Sequence, residues 1–161
     1  MIHIKTHKQL FESDIHTSIA YNNTDYFFKL IKKPNIDINE INDSLNTPLI
    51  IAAINGVSEI VKILIEKGAK LDIQNREGYT ALIAAAQEFH KVRKVNRKKD
   101  YYDIIKMLIE AGADWNINHL SYRKEGFLLY FNEYEKEELL DMYPEEYKKY
   151  LRKLKSKKFN L

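Results

Sequence analysis

His3 and His7 stand four residues apart, a spacing that would place two imidazoles on one helix face within reach of a metal ion. No carboxylate or third histidine completes that pattern nearby, so a solvated amino-terminal segment is the preferred reading and no metal is expected. His16, His90 and His119 are isolated, with His16 and His119 expected in turns or capping regions, and none has a nucleophile-and-acid signature around it. The chain has five glycines and lacks GxGxxG, Walker-type and GxSxG strings, which leaves little with which to cradle phosphate or raise a serine nucleophile. It has no cysteine, which removes disulfides, thiolate nucleophiles and thiolate metal sites together and leaves the redox compartment open. The acid pairs Glu137-Glu138 and Glu145-Glu146 sit beside lysines on expected helices, where a solvated face explains them better than a general acid and base. No enzyme and no cofactor are expected.

The remaining chemistry is cationic. Lys91, Arg93, Lys94, Arg97, Lys98 and Lys99 fall within nine residues, and a second basic run occupies residues 148–158. The formal charge is +3, but residues 1–90 hold 9 basic and 11 acidic side chains, whereas residues 91–161 hold 17 and 12. Such clusters contact phosphates in a salt-sensitive, sequence-independent way. Aromatic residues for stacking bases are sparse within residues 91–99, so an acidic protein partner ranks above nucleic acid, and a plainly solvating basic stretch ranks above both.

Chemistry of this kind needs a scaffold, and the scaffold is legible. A chain of 161 residues with 45% hydrophobic content has the length and core material of one folded domain. No apolar run approaches a membrane span, and the first eight residues lack the apolar region of a signal peptide. A cytoplasmic protein without membrane contact is therefore the default. Ile, Lys and Asn make up about a third of the residues, a bias associated with AT-rich genomes such as those of low-GC bacteria, their phages and some viruses.

The main organising feature is an internal repeat. Asn46-Thr47-Pro48-Leu49-Ile50-Ile51-Ala52-Ala53 returns 33 residues later as Tyr79-Thr80-Ala81-Leu82-Ile83-Ala84-Ala85-Ala86. Each copy leads to an apolar helix and a Gly-Ala pair, at Gly68-Ala69 and at Gly112-Ala113. The interval between those glycines is 44 residues, so the later copy contains 11 extra, roughly residues 89–99, which either lengthen both helices or form a loop. Sliding the 33-residue frame backwards sets Ala20 on Ala53, Asn23 on Gly56, Leu30 on Ile63 and Ile31 on Leu64, with Asp25 and Ser58 as the expected N-caps of the second helices. Beyond Asn118 the spelling fails. Residues 126–131 and 135–142 are candidate helices of a degenerate unit, and a last helix starting at Pro144 presents Tyr147, Tyr150, Leu151 and Leu154 on one face.

The period, the Thr-Pro-Leu start and the Gly-Ala end resemble the ankyrin repeat, a β-turn followed by two antiparallel helices. The resemblance implies an all-α solenoid of about three to four helix-turn-helix repeats with a helical C-terminal cap. Its units are a divergent repeat at about residues 9–40, repeat two at 41–74, repeat three at 75–118 with the insertion, and a degenerate capping region at 119–161. Both well-spelled repeats carry Ile where the family usually has His, and Leu45 replaces the turn glycine matched by Gly78, departures expected to weaken the turn hydrogen bonds. The resemblance also implies a non-enzymatic module, expected to be a monomer, that binds another protein stoichiometrically, in the manner of an inhibitor, immunity or adaptor protein. A nucleic-acid-associated accessory factor using the basic clusters is the alternative. Carried over residue by residue, the partner-facing surface comprises Tyr21, Asn22, Asp43, Ser44, Asn46, Ile54, Asn55, Arg76, Glu77, Tyr79, Gln87 and Glu88. Tyr79 and Ile54 are its leading members, since an exposed aromatic or aliphatic side chain supplies apolar area at an interface.

Overall fold

The computed structural model describes residues 15–114 and 130–143 together with 117, 145, 148 and 152. His3, His7, His119, residues 126–129, and Tyr147, Tyr150, Leu151 and Leu154 lie outside the described residues. Among the described residues seven helices are bounded: α1 (Ile15–Ala20), α2 (Thr24–Leu30), α3 (Pro48–Asn55), α4 (Ser58–Glu66), α5 (Ala81–Lys91), α6 (Val95–Glu110) and α7 (Glu133–Met142). There is no strand among the described residues, and the expected all-helical solenoid is the fold observed.

Local sequence accounts for where the helices of repeats two and three begin. Thr47 and Thr80 take extended backbone angles, and their hydroxyls accept from the N–H groups of Ile50 and Ile83 at 3.2 and 3.3 Å. Each cap satisfies one of the donors that a helix start leaves without a partner. Pro48 fits the first turn of α3 because it has no N–H to waste there. Gly68 and Gly112 close α4 and α6 with φ of 82° and 93°, in the left-handed conformation that glycine adopts without strain.

The first helices stack side by side, α1 on α3 and α3 on α5, while α4 packs on α6. Ala52, Ala53, Ala85 and Ala86 are wholly buried in the first-helix row, where small side chains let neighbouring helices approach closely. Leu49, Ile50, Leu82 and Ile83 fill the space between, joined by Ile60, Leu64, Ile104 and Leu108 from the second helices. Each such aliphatic side chain contributes about 1.5–3 kcal/mol on full burial, so the alternation of small and large residues both spaces and stabilises the stack.

Repeat one keeps this plan with a shifted register. Asn23 N donates to Ser18 O as Val57 N donates to Ala52 O, and Asn22 and Gly56 both have positive φ, which makes the helical offset 34 residues. After the loop the offset is 33 again, because the extra residue is absorbed between Ile31 and Ile36, where Pro34 bars further helix. The register corrects three expectations. The N-cap of α2 is Asn23, whose side chain accepts from Tyr26 N at 3.1 Å, and not Asp25. The N-cap residue of α4 is Val57, without a side-chain bond, and Ser58 is the first helical residue. His16 lies inside α1, at the register of Ile50, and not in a turn. Its Nε2 is 2.8 Å from Glu40 O; a carbonyl only accepts, so this nitrogen carries the proton and ties α1 to the loop before repeat two.

The eleven extra residues lengthen both helices. α5 has 11 residues against 8 in α3, α6 has 16 against 9 in α4, and the connection grows by one. Residues 131–143 dock on these extensions. Phe131, 4% exposed, stacks on Phe89 at 5.3 Å, and Lys98 Nζ sits 4.4 Å from the Phe89 ring centre and 3.0 Å from Glu135 Oε1. Tyr143 Oη donates to Glu110 Oε1 at 3.1 Å. α7 starts two residues before Glu135 because Asn132 caps it reciprocally: Asn132 Oδ1 accepts from Glu135 N, and Glu135 Oε2 accepts from Asn132 N.

Candidate partner-binding surface

The two hairpin tips are built by asparagines that the repeat spelling does not single out. Asn42 Oδ1 accepts from the N–H groups of Ser44 and Asn46, both at 3.0 Å. Asn75 Oδ1 does the same for Glu77 and Tyr79, at 3.1 and 2.9 Å. Each tip is also closed by main-chain bonds, Leu45 N to Asn42 O and Asn42 N to Asn46 O, matched by Gly78 N to Asn75 O and Asn75 N to Tyr79 O. The turn network is therefore intact, contrary to what the missing family residues suggest. Leu45 reaches the turn conformation that Gly78 adopts freely, at φ 59° against 87°, so the departure costs backbone strain and no hydrogen bond. An asparagine whose side chain bonds to the backbone two residues on is a recognised turn former, and the 33-residue recurrence of Asn42 as Asn75 was the available signal.

The tips are bonded to each other. Asn75 Nδ2 donates to Asn46 Oδ1 at 2.8 Å, Arg76 N to Ser44 O at 3.0 Å, and Arg76 Nη2 to Asp43 O at 2.7 Å. Asp43, Ser44, Asn46, Arg76, Glu77 and Tyr79 are thus brought together on one frame. Gln87 joins them, because its Nε2 donates to Tyr79 Oη at 2.7 Å. Tyr79 is half-buried and held in place by this bond.

The other expected members lie elsewhere. Tyr21 and Asn22 occupy the turn after α1, Ile54 and Asn55 end α3, and Glu88 takes the register of Asn55 in α5, so all five sit toward the end of the first helices away from the hairpins. Tyr21 is 67% exposed. Asn55 Nδ2 donates to Ile19 O at 3.1 Å, and Ile54 is half-buried. α6 covers this end through Tyr101, which is 2% exposed and donates its hydroxyl to Ile54 O at 2.8 Å. Burial pushes the Tyr101 phenol above its usual range, against the opposing pull of Arg97, so it remains a donor at neutral pH. A Cβ on Gly56 would come within 2.9 Å of the Tyr101 ring, so glycine there serves both a left-handed backbone and a close aromatic neighbour.

The basic stretch is divided by its surroundings. Lys91 Nζ pairs with Glu88 Oε1 at 2.7 Å, Lys98 is held by Glu135 and Phe89, and Arg97 lies over the Tyr101 ring at 5.8 Å. Arg93, Lys94 and Lys99 are exposed. Among the described residues no three His, Asp or Glu side chains are grouped so as to hold a metal ion, and no helix is long and apolar enough to cross a membrane.

The family model for "Ankyrin repeats (3 copies)" matches residues 15–119. Ankyrin repeat and SAM domain-containing protein 6 of Mus musculus is 32% identical over 116 residues, 68% of this chain and 11% of that protein. A putative ankyrin repeat protein of Rickettsia bellii is 36% identical over 67 residues, 42% of this chain and 28% of that one. The chain thus spans only a minor part of the curated relatives it matches. Among solved structures, the ankyrin repeat domain of Bcl-3 superposes with a TM-score of 0.62 at 20% identity, covering 79% of this chain and 50% of that one. A chain in the structure of the Bd0816 predatory endopeptidase from Bdellovibrio bacteriovorus in complex with immunity protein Bd3460 gives 0.64 at 26% identity, covering 80% of this chain and 62% of that one. Ankyrin repeats mediate protein–protein interaction, and the match over most of the residues that also form the stacked helix pairs establishes the relationship: this chain belongs to the ankyrin-repeat family.

Proposed function

We propose that this chain is a non-enzymatic cytoplasmic module that binds one partner protein stoichiometrically, as an inhibitor or immunity protein does, through the tips of its hairpins and the adjoining face of α5. The observation that carries this reading is the pair of cross-bonded hairpins. A surface whose side chains are already fixed by hydrogen bonds loses little freedom on docking, and that freedom is a principal cost of association. Tyr79, held by Gln87, and Arg76, held over Asp43, belong to the residue types that carry much of a typical interface. The inhibitor role draws support from the Bd0816 complex, a structure of the same fold that contains an immunity protein.

The division of the basic stretch argues against the nucleic-acid alternative, since three of its six cations are engaged within the protein. The test is to recover partners with and without nuclease treatment and to measure the affinity of the one recovered. Arg76→Ala with Tyr79→Ala is expected to weaken protein binding by more than about 2 kcal/mol. Neutralising the exposed Arg93, Lys94 and Lys99 is expected to change mainly the association rate and its salt dependence. Nuclease-sensitive recovery, with binding lost in the second variant and untouched in the first, would replace this reading by the nucleic-acid one.

A further inference from the structure

The lengthened helices of repeat three create a feature that repeats one and two cannot form alone. α6 runs past the end of α4, and its outer turns stand beside the helix-to-helix connections of the first two repeats. Between them lies an open groove of about 770 Å³. Its floor is made by Asn22, Ile54, Asn55 and Glu59, and its wall by Glu88, Arg97, Asp100 and Tyr101. This volume falls within the range of about 300–1,000 Å³ typical of small-ligand sites, which also accommodates a few residues of extended chain.

The groove differs in charge from the protein around it. The chain carries +3, yet here Glu59, Glu88 and Asp100 face a single guanidinium. Arg97 turns toward the floor, where its Nη2 lies 3.4 Å from Asn55 O, and over the Tyr101 ring. Glu88 is answered by Lys91, whereas Glu59 and Asp100 make no ion pair among the described residues. The carboxylates are spread along floor and wall and do not gather into a metal site. Phosphate-bearing ligands and anionic membrane surfaces would be repelled by them. Asn22, Ile54, Asn55 and Glu88, which the family resemblance implies as partner-facing, all line this groove.

Resting on the reading that this chain binds a partner protein, we infer that the groove receives a protruding, extended segment of that partner carrying lysine or arginine, with Glu59 and Asp100 as the counter-charges. Because the protein's overall charge repels cations, recognition of the segment is local: it depends on contact inside the groove and not on long-range attraction.

The test needs no knowledge of the partner. A random linear peptide library is panned on the 161-residue chain, and the selected peptides are synthesised and measured by fluorescence anisotropy. They are tested against the wild type, against Glu59→Gln with Asp100→Asn, and against Arg76→Ala with Tyr79→Ala. Glu59 is exposed and Asp100 half-buried, so the groove variant is expected to melt with the wild type; if it does not, Glu59→Gln alone replaces it. The expected result is a set of Lys- or Arg-bearing peptides that weaken by roughly tenfold or more on loss of the two carboxylates. Peptides that respond only to Arg76 and Tyr79 would overturn the groove inference while leaving the proposed function standing. Peptides that respond only to the groove pair would uphold it and move the partner surface away from the hairpins. A selection that yields no peptide sensitive to Glu59 and Asp100 would also overturn it.

Discussion

Repeats two and three share five of the eight residues that open their first helices, and they finish differently. In repeat two, Gly56 ends α3 after 8 residues and the chain turns at once into α4. In repeat three no glycine stands at that register, the helix continues through Phe89 to Lys91, and α6 begins far enough back to reach over its neighbour. The buried rows Ala52-Ala53 and Ala85-Ala86 are alike because stacking demands it, whereas the free ends of the helices are under no such constraint. Stacking identity is thus written into the shared half of the repeat. What is particular to this protein, the seat for residues 131–143 and the acidic groove, is written into the half that differs.

If the extension seats residues 131–143, its anchor is Phe89. Phe89→Ala removes the ring against which Phe131, Tyr102 and Lys98 all pack, and should cost about 3–5 kcal/mol in urea denaturation. A double-mutant cycle with Phe131→Ala sharpens this. The two rings are stacked, so a coupling of about 0.5–1.5 kcal/mol is expected. Strict additivity would mean that the region from Phe131 onward is not held by the extension.

The contact of α6 with repeat two can be broken from the other side. Gly56→Ala forces a Cβ against the Tyr101 ring and a side chain into positive φ, and should destabilise by about 2–4 kcal/mol. Gly68→Ala is the control, because its φ is also positive but nothing lies within 4 Å of the added carbon. It should lose only about 1 kcal/mol. Equal losses at the two glycines would show that backbone strain accounts for the whole effect and that Tyr101 yields without cost.

How far the sequence revealed this arrangement follows the same division. The 33-residue recurrence is a periodic signal and was readable; the Thr47 and Thr80 caps recur with it but were not read as caps. The register of repeat one was misread because the added residue lies in the loop near Pro34, where nothing apolar marks a frame. Of the residues read at family positions, those on the hairpins lie together because the hairpins bond to one another. Ile54 and Asn55 drew their surroundings from α6, more than forty residues on, and no local pattern announces a tyrosine that will reach back so far. Asn42 and Asn75 were visible as a repeated pair but carry no apolar signal, so a reading led by hydrophobic spacing passes over them.

The shared rows offer a test of the conserved half. Ala85→Leu inserts three carbons into a wholly buried position between neighbouring first helices and should cost about 1–3 kcal/mol by overpacking. Ala52→Leu should cost a similar amount, since it occupies the equivalent row. A thermal midpoint unchanged in either variant would mean that the rows are looser than their burial indicates. Asn75→Ala should follow at about 1–3 kcal/mol, because it leaves two turn N–H groups without their acceptor and removes the donor to Asn46. Asn42→Ala should cost less, as its turn is more exposed and water can replace the lost acceptor.

The smallest effect is expected to be a gain, and it isolates the one place where the two hairpins solve the same geometry with different residues. Leu45 sits at φ 59° with its side chain 39% exposed, so little packing compensates for a conformation that costs an L-residue about 1–2 kcal/mol. Glycine would remove that strain while adding some freedom to the unfolded chain, which offsets about 0.4–1 kcal/mol of the benefit. Leu45→Gly should therefore stabilise by about 0.5–1 kcal/mol, read as a rise in the urea midpoint at unchanged slope. The reciprocal change, Gly78→Ala, should destabilise, because it imposes on repeat three the strain that repeat two already bears. A loss of stability in Leu45→Gly would instead show that the leucine side chain stabilises the first hairpin through packing worth more than its strain.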